Sequence, residues 1–99
     1  MNRAKKSNIS HRLAEAIVVF RADHPKYGTP NGAHDNCCKA SGQFVDLLLA
    51  RGIRGAYVDE IDVVNGVAHK AVVIDGVWVD WTARQFDRSA DFPKVIPYE

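Results

Sequence analysis

Ala68-His69-Lys70-Ala71-Val72-Val73-Ile74-Asp75-Gly76-Val77-Trp78-Val79-Asp80-Trp81-Thr82 is the stretch whose reading decides the fold. Two runs rich in β-branched and aromatic residues flank Asp75-Gly76, a pairing that predicts a hairpin closed by a two-residue type I′ turn. Such a turn sets Ile74 opposite Val77, Val73 opposite Trp78, Ala71 opposite Asp80 and His69 opposite Thr82. Side chains alternate along a strand, so His69, Ala71, Val73, Trp78, Asp80 and Thr82 share one face. His69 and Asp80 become diagonal neighbours roughly 7–8 Å apart, near enough for an imidazole and a carboxylate to lean together. The turn alone therefore predicts a base and the group that orients it.

Upstream of the hairpin, Asn65-Gly66 predicts another turn and Ala56 to Ile61 a strand. Further upstream, His34 to Arg51 reads as polar capping residues, two adjacent cysteines and an apolar helical run, with Gly52 as a left-handed stop. Cys37, Ser41, Phe44 and Leu48 fall on one face of that helix, with Ala40 and Leu47 beside them. Val45 and Leu49 widen the apolar surface, which marks the helix as central. Asn36 or Asp35 is placed to cap its first amides, and the positive end of the helix dipole favours a thiolate at Cys37 or Cys38.

An earlier helix is expected after a cap at Ser7 or Ser10, with Leu13, Ile17 and Phe20 at helical spacing and an end near Asp23. Between the helices, His24 to Ala33 carries two prolines and two glycines and reads as a loop. Residues 1–8 read as a loose polar leader, and Ala83 to Glu99 as a loop with a short edge strand. The order of helices followed by strands predicts an α+β chain, N-terminal helices packed on a small antiparallel sheet, as a single domain over residues 1–99.

Composition narrows the function. A hydrophobic share of 46% and a charged share of 25% belong to an ordinary globular domain, and a net charge of +1 gives no electrostatic footprint for nucleic acid. The continuous bulky apolar run near the N-terminus covers only Ile17 to Phe20, too short for a signal or a membrane span. Two adjacent cysteines offer no useful structural disulfide within the chain, which points to a reducing, cytoplasmic setting. The thiols then invite a chemical role. A cysteine attacks as its thiolate, a histidine takes the proton and returns it to the leaving group, and a carboxylate holds the imidazole in the right tautomer.

Cysteine at a helix start, histidine on a strand and aspartate on the next strand resemble the papain-like cysteine peptidase and transglutaminase-like superfamily. The resemblance rests on Asn36 to Ile53, on Ala68-His69, and on Val72 to Thr82 with its Asp-x-Thr step, and it covers roughly residues 34–86. It implies a papain-like core and Cys37 as nucleophile, because Ser41 and Gly52-Ile53 then fall at the small position and the helix-ending step of the family. It implies His69 as base, Asp80 as orienting carboxylate, and the Cys37 amide with Asn31 as an oxyanion hole. His34, Trp78 and Trp81 are candidate walls of a substrate cleft. No cofactor or metal is implied, and the partner would be a protein or peptide substrate.

Lys70-Ala71 and Trp81 depart from the aromatic and proline residues common in transglutaminase relatives. The acyl acceptor therefore stays open, so peptidase, deamidase and transferase are all compatible. Two other readings stand beside acyl transfer. One is an interaction protein that keeps the fold and binds a host or partner protein without chemistry. The other is a small zinc-binding module built on His34, Cys37, Cys38 and His69, although neighbouring cysteines on a helix diverge by about 100°.

Overall fold

Asp75 and Gly76 both adopt positive φ, 54° and 76°, as a type I′ turn requires of its two central residues. The expected register follows, with Ile74 opposite Val77, Val73 opposite Trp78 and Val72 opposite Val79. The computed structural model describes residues 9–64 and 67–98. The polar leader 1–8 and the Asn65-Gly66 turn lie outside the described residues.

Four strands, β1 (Tyr57–Val64), β2 (Val67–Ile74), β3 (Val77–Asp80) and β4 (Lys94–Pro97), form one sheet in the order β1-β2-β3-β4. Each neighbouring pair is antiparallel. β1 runs three residues past the expected Ile61, because pairing with β2 rather than local propensity sets its end. Its register shifts between Glu60 and Asp62, leaving Ile61 as the extra residue of a bulge. β4 is the edge strand expected near the C-terminus.

Helix α1 (His11–Asp23) starts at Ser10, whose Oγ accepts the Leu13 N–H at 3.0 Å, and it buries Leu13, Ala16, Ile17 and Phe20. The segment expected to be an irregular loop instead holds a 3-10 turn (Pro25–Gly28) and the short helix α2 (Pro30–Ala33). Each begins with a proline, whose missing N–H is harmless at a first helical position. Thr29 Oγ1 caps α2 by accepting the Gly32 N–H at 3.0 Å.

Helix α3 (Cys37–Ala50) buries Ala40, Ser41, Phe44 and Leu48, while Leu49 is exposed. Neither expected cap works through its side chain. Asn36 donates its Nδ2 to the Gly32 carbonyl at 2.7 Å, which ties the start of α3 back to α2, and among the described residues no side chain caps the first amides of α3.

The core lies on one face of the sheet. Val72, Ile74, Val77, Val79 and Trp81 pack there against the buried stripes of α1 and α3. Phe20, Phe44 and Trp81 meet in tilted or edge contacts with centroids 4.5–5.2 Å apart. Alternation then turns His69, Ala71 and Asp80 to the other face, away from the helices. The result is an α+β chain with helices on one side of an antiparallel meander. No helix among the described residues is long and apolar enough to cross a membrane.

Candidate active site

β3 stops at Asp80, and its carboxylate helps to stop it. Asp80 Oδ1 accepts the Thr82 N–H at 3.0 Å, a local side-chain bond that competes with the ladder and turns the chain out of the sheet. The other oxygen, Oδ2, accepts from His69 Nε2 at 2.7 Å. Both side chains are buried, His69 and Asp80 each being 4% exposed. A short, buried bond to a carboxylate places the proton on Nε2 and leaves the Nδ1 lone pair free to accept. The Phe86 ring stands edge-on to the imidazole, centroids 4.9 Å apart and planes at 87°.

The end of β3 also creates an opening in the sheet. In this register Ile74, Val72 and Lys70 aim their main-chain polar groups at β3. Because β3 ends before reaching Lys70, that residue's N–H has no strand to bond. Cys37, the first residue of α3, reaches this position, and the Lys70 amide favours its thiolate. A helix on one face of the sheet and an imidazole on the other are thus brought within one residue of each other through the gap beyond Asp80. Among the described residues no hydrogen bond joins the Cys37 thiol to His69.

Burial is the leading influence on Cys37 and pushes its thiol above the ordinary value. The Lys70 and Cys38 amides pull in the opposite direction, and the neighbouring Cys38 thiol adds to the rise. Burial thus opposes the thiolate that the helix dipole favours. Cys38 is exposed.

Gln85 was not singled out by its sequence, yet it faces the His69 imidazole. Its Nε2 lies 3.5 Å from His69 Nδ1 and 3.4 Å from Thr82 Oγ1, while its Oε1 accepts the Asp35 N–H at 3.4 Å. These are long, weak bonds. They link the imidazole to the left-handed residue (Asp35, φ 60°) that leads into the cysteine helix. A carboxamide in the turn just after the Asp-x-Thr step is the only sequence signal that could have found it.

The other candidates differ in exposure. Asn31 is exposed on α2. His34 is exposed and sits 3.3 Å from its neighbour Asp35. Trp78 lies half-buried on the outer face against Tyr98, centroids 5.2 Å apart. Trp81, expected as a cleft wall, is 1% exposed and belongs to the core. Alternation explains the difference, since Trp81 follows Asp80 and faces the helices.

On the outer face, His69 and Asp80 line a pocket of about 300 Å³. Its other walls are Ile61, Ile96, Ala83, Phe86 and Ala90, with Asp87 and Lys94 completing the lining. Arg84 braces the overlying loop by donating to the Ala90 carbonyl at 2.7 Å and to the Gly28 carbonyl at 3.0 Å. Among the described residues no group of three or more His, Cys, Asp or Glu side chains converges as a metal site would need. Comparison with protein-family models, with curated protein sequences and with solved structures finds no match.

Proposed function

We propose that this chain catalyses thiol-dependent acyl transfer at a protein or peptide amide, in a papain-like arrangement. The observation that carries the reading is the buried His69–Asp80 pair, one residue along β2 from the Lys70 amide that meets Cys37. Cys37 Sγ attacks the amide carbonyl while its proton passes to His69 Nδ1. Asp80 then faces an imidazolium across a 2.7 Å bond, which stabilises the charge as it forms. His69 returns the proton to the leaving amine, and the acyl group stays on Cys37 as a thioester.

Water, deprotonated by His69, releases the acyl group as an acid; an amine acceptor releases it as a new amide. The uncapped amides at the start of α3 are placed to hold the developing oxyanion. Asn31, exposed on α2, is the side-chain candidate for the same role. The raised thiol gives His69 its duty, because the proton must be removed during attack rather than beforehand. Two free thiols suit a reducing compartment such as the cytoplasm.

Alkylation by iodoacetamide across pH tests the base. In the wild type the thiol should react at neutral pH. In His69→Ala only the inflection of a buried thiol should survive, above the ordinary ~8.5. Identical profiles for the two proteins would remove the enzyme reading.

A second reading, partner binding without chemistry, is favoured by the aromatic side chains on the sheet's outer face. Trp78 packs on Tyr98 there, and Tyr57 and Tyr98 are exposed.

A further inference from the structure

Among the described residues, Gln85 is the side chain whose hydrogen bonds reach both the His69 imidazole and the loop that leads into the cysteine helix. Its Nε2 lies 3.5 Å from His69 Nδ1, and its Oε1 accepts the N–H of Asp35, two residues before Cys37, at 3.4 Å. We infer that Gln85 is a positioning residue: it holds the imidazole in register with the start of α3 and keeps a bare lone pair on Nδ1 until the thiol proton arrives. The inference rests on the acyl-transfer reading and adds to it a residue that acts through the base.

Hydrogen-bond directions fix the carboxamide. A main-chain N–H can only donate, so the atom facing Asp35 is the oxygen and the group facing Nδ1 is the NH2. That NH2 in turn requires an unprotonated Nδ1, the tautomer that Asp80 favours from the other end of the ring by accepting from Nε2 at 2.7 Å. A second direction for the same NH2 is Thr82 Oγ1 at 3.4 Å. The imidazole is therefore held at both nitrogens, tightly by Asp80 and loosely by Gln85.

The loose side is the one that must change partners. A proton arriving at Nδ1 displaces the donor already there, and a contact of 3.5 Å is given up at little cost. The main chain of Gln85 does not depend on that contact. It closes the 3-10 turn Ala83–Gln85, where its N–H donates to the Thr82 carbonyl at 3.1 Å. Arg84, beside it, pins the turn to the Gly28 and Ala90 carbonyls. A braced turn thus presents a carboxamide that can move without the backbone moving.

Two substitutions test the role. Gln85→Leu keeps comparable bulk without donor or acceptor; its iodoacetamide profile is followed across pH, with urea denaturation of the same samples. The His69-dependent alkylation of Cys37 at neutral pH should fall about 10-fold, while the alkaline plateau and the urea midpoint stay close to wild type. If Gln85→Leu does not fold, Gln85→Met makes the same comparison. Gln85→Glu keeps the acceptor for Asp35 but replaces the donor at Nδ1 with an acceptor. In two-bond 1H–15N spectra, the pH at which His69 gains a proton on Nδ1 should rise by about one unit or more relative to wild type. A side chain that merely fills space would lower the urea midpoint and leave the His69 titration in Gln85→Glu as in wild type. That result, or wild-type alkylation at neutral pH in Gln85→Leu, would overturn the positioning role alone. A wild-type alkylation profile indifferent to His69→Ala would overturn the acyl-transfer reading, and the inference with it.

Discussion

Asp80 makes two contacts with two consequences, one for chemistry and one for folding. Asp80→Asn keeps the shape but weakens the acceptor facing Nε2 and permits the wrong imidazole tautomer. Thioester formation should fall by about 10³-fold or more, read as single-turnover acylation, with little change in the urea midpoint. Asp80→Ala should in addition cost about 1–3 kcal/mol, since it leaves the buried His69 N–H without its partner. Cys37 gives a pH signature. Its folded-state pKa lies above its unfolded value, so the stability it contributes is complete below the ordinary thiol range and declines as pH rises through the folded value. Urea denaturation of wild type and Cys37→Ala should therefore diverge on the alkaline side and not at pH 6. At this scale the sequence was informative about His69 and Asp80, because a two-residue turn fixes which side chains are neighbours. It was uninformative about Gln85 and the Lys70 amide, whose roles come from where β3 ends rather than from any spacing.

Among the elements, the short helix α2 before α3 leaves no room for a side chain at Gly32. A Cβ added at Gly32 would collide with the Lys26 carbonyl, and Gly32 also receives the Asn36 Nδ2 donor on its own carbonyl. Gly32→Ala should therefore displace the start of α3, lowering stability by about 1–3 kcal/mol and slowing Cys37 alkylation at neutral pH. Ser10→Ala removes the cap of α1 far from the site; it should cost about 1 kcal/mol and leave the alkylation profile of the folded protein unchanged. Both are read by urea denaturation with alkylation on the same samples. The two long helices and the hairpin were legible because apolar periodicity and turn residues agreed, with the Ser10 cap adding to the signal for α1. The short turns at Pro25 and Pro30 were not, because the proline that interrupts a helix also begins one. The capping of α3 was misread for a related reason: Asn36 has the right chemistry for a cap, but the Gly32 carbonyl competes for its side chain.

For the whole molecule, the sheet separates the side packed by α1 and α3 from the side that carries the His69–Asp80 pair. Phe44 lies between Phe20 and Trp81, so Phe44→Ala should cost about 3–5 kcal/mol, a large share of the ~5–15 kcal/mol typical of a domain this size. The α+β class was readable from element order, but which face the helices would cover was not. Both faces of the hairpin carry apolar residues, and the choice falls to Val72, Val79 and Trp81 only once α1 and α3 are docked. That choice puts the cysteine helix opposite the imidazole and makes the early end of β3 the feature on which the site depends. The most direct measurement is mass spectrometry of the protein mixed with p-nitrophenyl acetate. The proposed mechanism predicts an acetyl group appearing on Cys37 and then leaving, with both steps slowed by about 10³-fold or more in His69→Ala. Acetylation of Cys38 instead, or equal rates in wild type and His69→Ala, would contradict it.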